Sequence, residues 1–298
     1  MKSRLRPWLD KNRGPLTRAL RAVVTVGLLA ALVANVDARK VGSLLTRVNW
    51  MILVPVFLYL PAILLSALKW QILLGWRLPF WALVRIYWIG NFFSNFLPST
   101  IGGDGYRVIK VKGEVGTKTA LGSVLLDRAS GFLGTLILFV LLSLALPGHL
   151  LLNRMDMLVC LVGLFALALL AIYVASSRFS RKVLEFLDVF REFRTSWKSV
   201  LSISLIYPAL GITSLWFYFL MYGYRPSILA TALFYLAIQL ITLIPISINA
   251  IGVYEVSVVG LFATIGIPAE VSLSISLLSR AVMLLQTSVG GALYLGTR

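Results

Sequence analysis

Residues 96–108 read FLPSTIGGDGYRV, and residues 243–256 read LIPISINAIGVYEV. Each stretch interrupts an apolar block with a proline and, seven residues on, a glycine: Pro98 and Gly105, then Pro245 and Gly252. Proline removes a helical N–H, and glycine loosens the backbone around it. In lipid the freed backbone groups have no water to bond. Such breaks persist only where protein or a watery cavity receives them. The breaks also carry polar groups a lipid-facing helix would lack: Gly102, Gly103, Asp104 and Arg107 in the first, Asn249 and Glu255 in the second. Asn91 and Asn95 precede the first break within its apolar block.

Working outward, the chain of 298 residues is 59% hydrophobic and only 13% charged. A soluble domain carries about 25% charged residues. The apolar residues gather in blocks at 50–68, 120–146, 157–176, 199–222 and 273–295, with a shorter one at 23–36. Blocks of roughly 18 or more read as transmembrane helices. The reading is therefore an all-α polytopic membrane protein with six to eight transmembrane helices, forming one integral membrane domain over 1–298.

The formal net charge is +17. Its main concentrations flank apolar blocks: Lys2, Arg4, Arg6, Lys11, Arg13, Arg18 and Arg21 at one end, and Arg178, Arg181, Lys182, Arg191, Arg194 and Lys198 beyond Ser177. Cytoplasmic flanks of membrane proteins collect Lys and Arg in this way. The charge is read as topology and contact with anionic lipid, not as a nucleic-acid surface. Residues 1–20 are then a basic cytoplasmic N-terminus leading into an uncleaved first span. Residues 177–198 are a cytoplasmic amphipathic segment with Val183, Phe186, Leu187 and Phe190 on one face. The lone Cys160 rules out an internal disulfide, and the lone His149 rules out a histidine-rich metal site. No cofactor, metal site or catalytic residue is expected.

Two topologies fit. If 80–97 and 229–245 cross fully, there are eight spans, and the basic loop with Arg107, Lys110, Lys112 and Lys118 lies outside, against the positive-inside rule. If both segments enter, break and return, six full spans and two re-entrant hairpins remain, and the basic loop stays inside. In the second case the units 80–146 and 229–296 form an inverted repeat. Inverted repeats in transporters place a substrate site near the midplane on broken helices.

Downstream of each break lies an echo: LLDRA at 125–129 and LLSRA at 277–281. Asp127, Arg128 and Arg280 thus fall within long apolar spans. An arginine at such depth costs at least ~2.5 kcal/mol unless it faces protein or water, and snorkelling to the interface is the alternative. Asp104 and Glu255 are the natural counter-ions of Arg128 and Arg280, or proton carriers. The planar arginine fork also binds phosphate. A cavity holding Arg107, Arg128 and Arg280 would suit a lipid phosphate, with the tails left in the bilayer.

These residues bring in a resemblance. The stretches KW (69–70), GNFFSNFLPSTIGGDGYRVIK (90–110), LLDRASGF (125–132), IPISINAIGVYE (244–255) and LLSRAVMLLQTSVGGALYL (277–295) resemble the transmembrane region of lysylphosphatidylglycerol synthases. Ala250 stands where that pattern favours glycine, which would stiffen the second break. The resemblance implies a flippase-like protein of the cytoplasmic (inner) membrane, without the soluble domain that aminoacylates the lipid. Its partners would be anionic or phosphate-bearing membrane lipids, and a lipid-modifying enzyme as a further candidate. Two other functions stay open: an integral-membrane transferase of glycolipid, polyprenyl or hopanoid metabolism, and a non-transporting partner of such enzymes.

Overall fold

In the computed structural model, residues 21–32, 34–96, 101–145, 196–244 and 246–296 are described. Pro98, Pro245, the block 157–176, the basic N-terminus 1–20 and nearly all of the amphipathic segment 177–198 lie outside the described residues. Among the described residues the regular elements are all helices, as expected of an all-α membrane protein.

Four helical segments are long and apolar enough to cross a bilayer: Trp50–Leu73, Thr117–Ala145, Trp197–Met221 and Ala269–Leu295. At ~1.5 Å per residue each exceeds the ~30 Å hydrocarbon core. In chain order, α1 is Arg21–Leu32, α2 is Ala38–Leu45 and α3 is Leu53–Leu73. Then come α4 (Phe80–Phe96), α5 (Ile101–Val115), α6 (Thr117–Ala145) and α7 (Trp197–Met221). The chain continues with α8 (Ile228–Thr242), α9 (Val253–Ala263) and α10 (Ala269–Leu295). Asp37 starts α2 by accepting the Arg39 and Lys40 amide protons.

The two segments around the breaks are hairpins. Gly90 of α4 faces Gly103 and Arg107 of α5, so the helices run antiparallel. A Cβ at Gly103 would overlap Ser94 and the Gly90 carbonyl; the glycine pair permits this approach. With 15 residues, α5 spans only ~22 Å and does not cross. The second hairpin, α8–α9, closes through Phe234 edge-on to Phe262 at 5.1 Å.

The hairpins enter from opposite faces. Trp70, near the end of α3, donates to Ser123, early in α6. The end of α3, both open ends of α4–α5 and the start of α6 therefore share one face. Asn49, just before α3, donates to the Met221 carbonyl at the end of α7. Phe219 stacks on Phe262 at 4.2 Å, which places the open end of α8–α9 on that second face. The inverted geometry expected of paired hairpins is thus present.

Packing fixes this frame. Gly290 and Gly291 of α10 lie directly against the Trp88 carbonyl and the Phe92 ring of α4. Asn95 donates to Thr287 at 2.6 Å and Trp88 to the Gln286 carbonyl at 2.7 Å, stitching the first hairpin to the last span. One core cluster joins α3–α6 around Trp70, Ile63 and Leu83. A second joins α6–α10 around Phe139, Phe219 and Phe262.

Candidate functional site

Five charged side chains meet beside the first break. Asp127, one turn short of mid-helix in α6, is 4% exposed. Its carboxylate forms an ion pair with Lys69 Nζ of α3 and accepts a hydrogen bond from Arg107 Nη2 of α5, both at 2.9 Å. Tyr87 of α4 donates to it at 3.2 Å. Lys69 also donates to the Asp127 carbonyl at 3.0 Å. Four helices therefore converge on one carboxylate.

Burying these ions is costly, and removing one partner alone costs about 3–5 kcal/mol. The guanidinium of Arg107 is further held between two aromatic faces, 4.2 Å from the Trp70 ring centroid and 4.1 Å from that of Tyr87. Desolvated cation–π contacts of this kind supply ~2 kcal/mol each. Asp104, in the first turn of α5, lies 3.6 Å from Arg107 and hydrogen-bonds Arg128. A carboxylate suits that helix end, where the dipole is positive.

These groups line a cavity of about 660 Å³. Asp104, Arg107, Asp127, Arg128, Asn91 and Gly103 all contribute to its wall, with α7 and α8 opposite. Among the described residues, three cations (Lys69, Arg107, Arg128) stand against two carboxylates (Asp104, Asp127) in this wall, one net positive charge. Arg107 and Lys69 are turned onto Asp127 and nearly buried, whereas the Arg128 side chain, which also lines the cavity, is 46% exposed.

The second break is built differently. Arg280 bonds Glu255 and donates to the Ala250 carbonyl at 2.9 Å. Glu255 in turn accepts the Gly252 amide proton at 2.7 Å. It stands three residues into α9 and reaches back to the helix start, which is the glutamate half of a capping box. Around the turn, Asn249, Ala250 and Gly252 have φ of 53°, 56° and 85°. That left-handed region strains a non-glycine residue such as Ala250. Gly252 packs on Leu28 of α1, and Thr25 of α1 accepts the Ile248 amide proton at 3.1 Å. Helix α1 thus plugs the second break.

The pairings expected from sequence, Asp104 with Arg128 and Glu255 with Arg280, both form. Their convergence on one cavity does not: Arg280 and Glu255 stand apart from the wall that holds Arg128. Each of the two arginines is bound to a carboxylate. Asn91 lines the cavity and donates to Tyr59, while Asn95 serves the α4–α10 contact. Gly102 is half-buried at the start of α5. Lys69, Trp70 and Tyr87 were not singled out as site residues. Lys69 follows the apolar block 50–68 and reads as an interfacial charge; only the KW pair in the family pattern hinted at more.

The model for the family described as lysylphosphatidylglycerol synthase TM region matches residues 18–291. No curated protein and no solved structure matches the chain.

Proposed function

The chain belongs to the lysylphosphatidylglycerol synthase transmembrane-region family, and from that premise we propose that it moves a phosphate-bearing lipid between the two leaflets. The observation that carries this reading is the cavity wall with one net positive charge, set at a broken helix between oppositely inserted hairpins. A phosphodiester carries one negative charge, which this wall balances. Arg128 presents a planar donor fork suited to phosphate oxygens. The buried Lys69–Asp127–Arg107 set holds α3, α5 and α6 in register behind it.

Lipid translocation needs a polar path for the headgroup while the tails stay in hydrocarbon. A polar cavity inside a membrane domain serves the first need. The inverted hairpins serve the exchange of access between faces. The face carrying exposed Arg77, Lys110, Lys112, Lys118 and Lys198 is the cytoplasmic one by the positive-inside rule. Transferase chemistry is disfavoured because Asp104, Asp127 and Glu255 are each already bound to a cation of the protein.

The test is reconstitution in liposomes with acyl-labelled phospholipids, read by loss of label from the shielded leaflet. Transfer above protein-free vesicles supports the reading. No transfer of any phosphate-bearing lipid, with a control flippase active in parallel, overturns it.

A further inference from the structure

Beyond the charged cavity lies a second one of about 190 Å³, and Tyr207 and Tyr235 line both. Tyr59, Tyr218 and Tyr254 extend its wall, together with Ser279. Among the described residues, no Asp, Glu, Lys or Arg lines this chamber. At ~30 Å³ per water it has room for about six water molecules. That is the bulk of a small polar group and far less than a lipid tail.

The hydroxyls decide what kind of group. Tyr59 accepts from Asn91 at 3.1 Å and Tyr235 accepts from Gln239 at 3.2 Å. A phenol that accepts an amide N–H still has its own proton to give. Ser279 donates to the Ser276 carbonyl at 2.8 Å, so Tyr254 gives its proton to Ser279 at 3.1 Å and both keep acceptor lone pairs only. The Tyr218 hydroxyl has no hydrogen-bond partner among the described residues, although the residue is only 5% exposed. The chamber therefore offers several unspent donors and acceptors together, and no charge.

An ammonium group would bring donors only, and the cation that a tyrosine face attracts is already in place: the Arg280 guanidinium lies 5.4 Å from the Tyr254 ring centroid, where it repels a second cation. A phosphate would find no counter-ion here, whereas the adjoining cavity supplies one. An uncharged group bearing several hydroxyls, each both donor and acceptor, fits what remains. Gly211 belongs to the same design: a Cβ there would overlap the Tyr235 hydroxyl end, so the glycine lets that ring reach the common wall.

We propose that the tyrosine chamber is a headgroup subsite for an uncharged polyol, in a lipid whose phosphate sits at Arg128. This rests on the lipid-translocation reading above and adds the headgroup class. Tyr207 and Tyr235 stand between phosphate and polyol and contact both.

The experiment compares two acyl-labelled lipids with identical tails in the same vesicles: phosphatidylinositol, with a polyol ring, and phosphatidylethanolamine, with an ammonium. Wild-type protein moves phosphatidylinositol faster. Tyr218→Phe keeps the ring and orphans no partner; losing one hydroxyl contact lowers the phosphatidylinositol rate about fivefold. The phosphatidylethanolamine rate falls less than twofold. Tyr235→Phe shifts the ratio in the same direction. Equal wild-type rates for both lipids, or a ratio untouched by either variant, overturns the polyol subsite and leaves lipid translocation standing. Transfer of neither lipid overturns both.

Discussion

The two breaks echo each other in sequence and diverge in chemistry. After the first, Tyr106-Arg107 is followed by Asp127-Arg128; after the second, Tyr254-Glu255 is followed by Ser279-Arg280. The shared arginine pairs with a carboxylate of its own break in both halves. At the neighbouring position the halves part. Asp127 gathers Lys69 and Arg107 into a charged wall, whereas Ser279 bonds the Ser276 carbonyl and the Tyr254 hydroxyl. One half is an open, net-positive recess, and the other is a sealed staple that caps α9 and ties Arg280 to the turn. A duplicated frame thus carries one exposed charged wall and one clamped charge pair. The charge pattern, not the break itself, separates them.

The largest test of this contrast is Asp127→Asn. It leaves two nearly buried cations facing a neutral amide, and stability falls by about 3–5 kcal/mol. The denaturation midpoint in detergent reads this directly. Glu255→Gln acts on the other half and removes the anion from Arg280. A loss of about 3 kcal/mol is expected there, at the low end because Arg280 keeps its bond to the Ala250 carbonyl. Replacing both members, Glu255→Met with Arg280→Met, recovers much of that loss, since apolar replacement of a buried pair is often near neutral. The recovered double variant should still move lipid. If it folds and is inactive, the second half is more than a support.

Arg128→Ala reverses the pattern. With its side chain 46% exposed, the Asp104–Arg128 pair contributes under about 1 kcal/mol to stability. Losing a charge-assisted contact to phosphate nevertheless lowers lipid transfer about tenfold or more. The smallest expected effect belongs to Ala250→Gly. Relief of the left-handed strain at φ 56° outweighs glycine's added flexibility by about 0.5–1 kcal/mol, seen as a modest rise in midpoint.

The membrane class and the long spans were legible in the apolar blocks, because a helix in lipid satisfies its own backbone and leaves a simple length signal. The breaks were legible through Pro98 and Pro245 with their following glycines, but hairpins and full crossings both fitted them, with the basic loop near Lys112 speaking for hairpins. Both carboxylate–arginine pairs were legible too. What stayed hidden depends on distance in the chain. Lys69 reaches Asp127 across 58 positions, and nothing in its local sequence separates a buried lysine from an interfacial one. The separation of Arg280 from the cavity was likewise invisible, because the repeat aligns it with Arg128 and only packing sets them apart. The tyrosine chamber draws on α3, α7, α8, α9 and α10, each contributing residues that read alone as ordinary apolar spans.

The most direct test of the central claim is lipid transfer by Arg128→Ala beside Arg280→Met/Glu255→Met, in liposomes holding labelled phosphatidylinositol, with folded protein quantified in each. The account predicts transfer by wild type and by the double variant, and a loss of about tenfold in Arg128→Ala despite intact folding. Equal transfer by Arg128→Ala and wild type would contradict it.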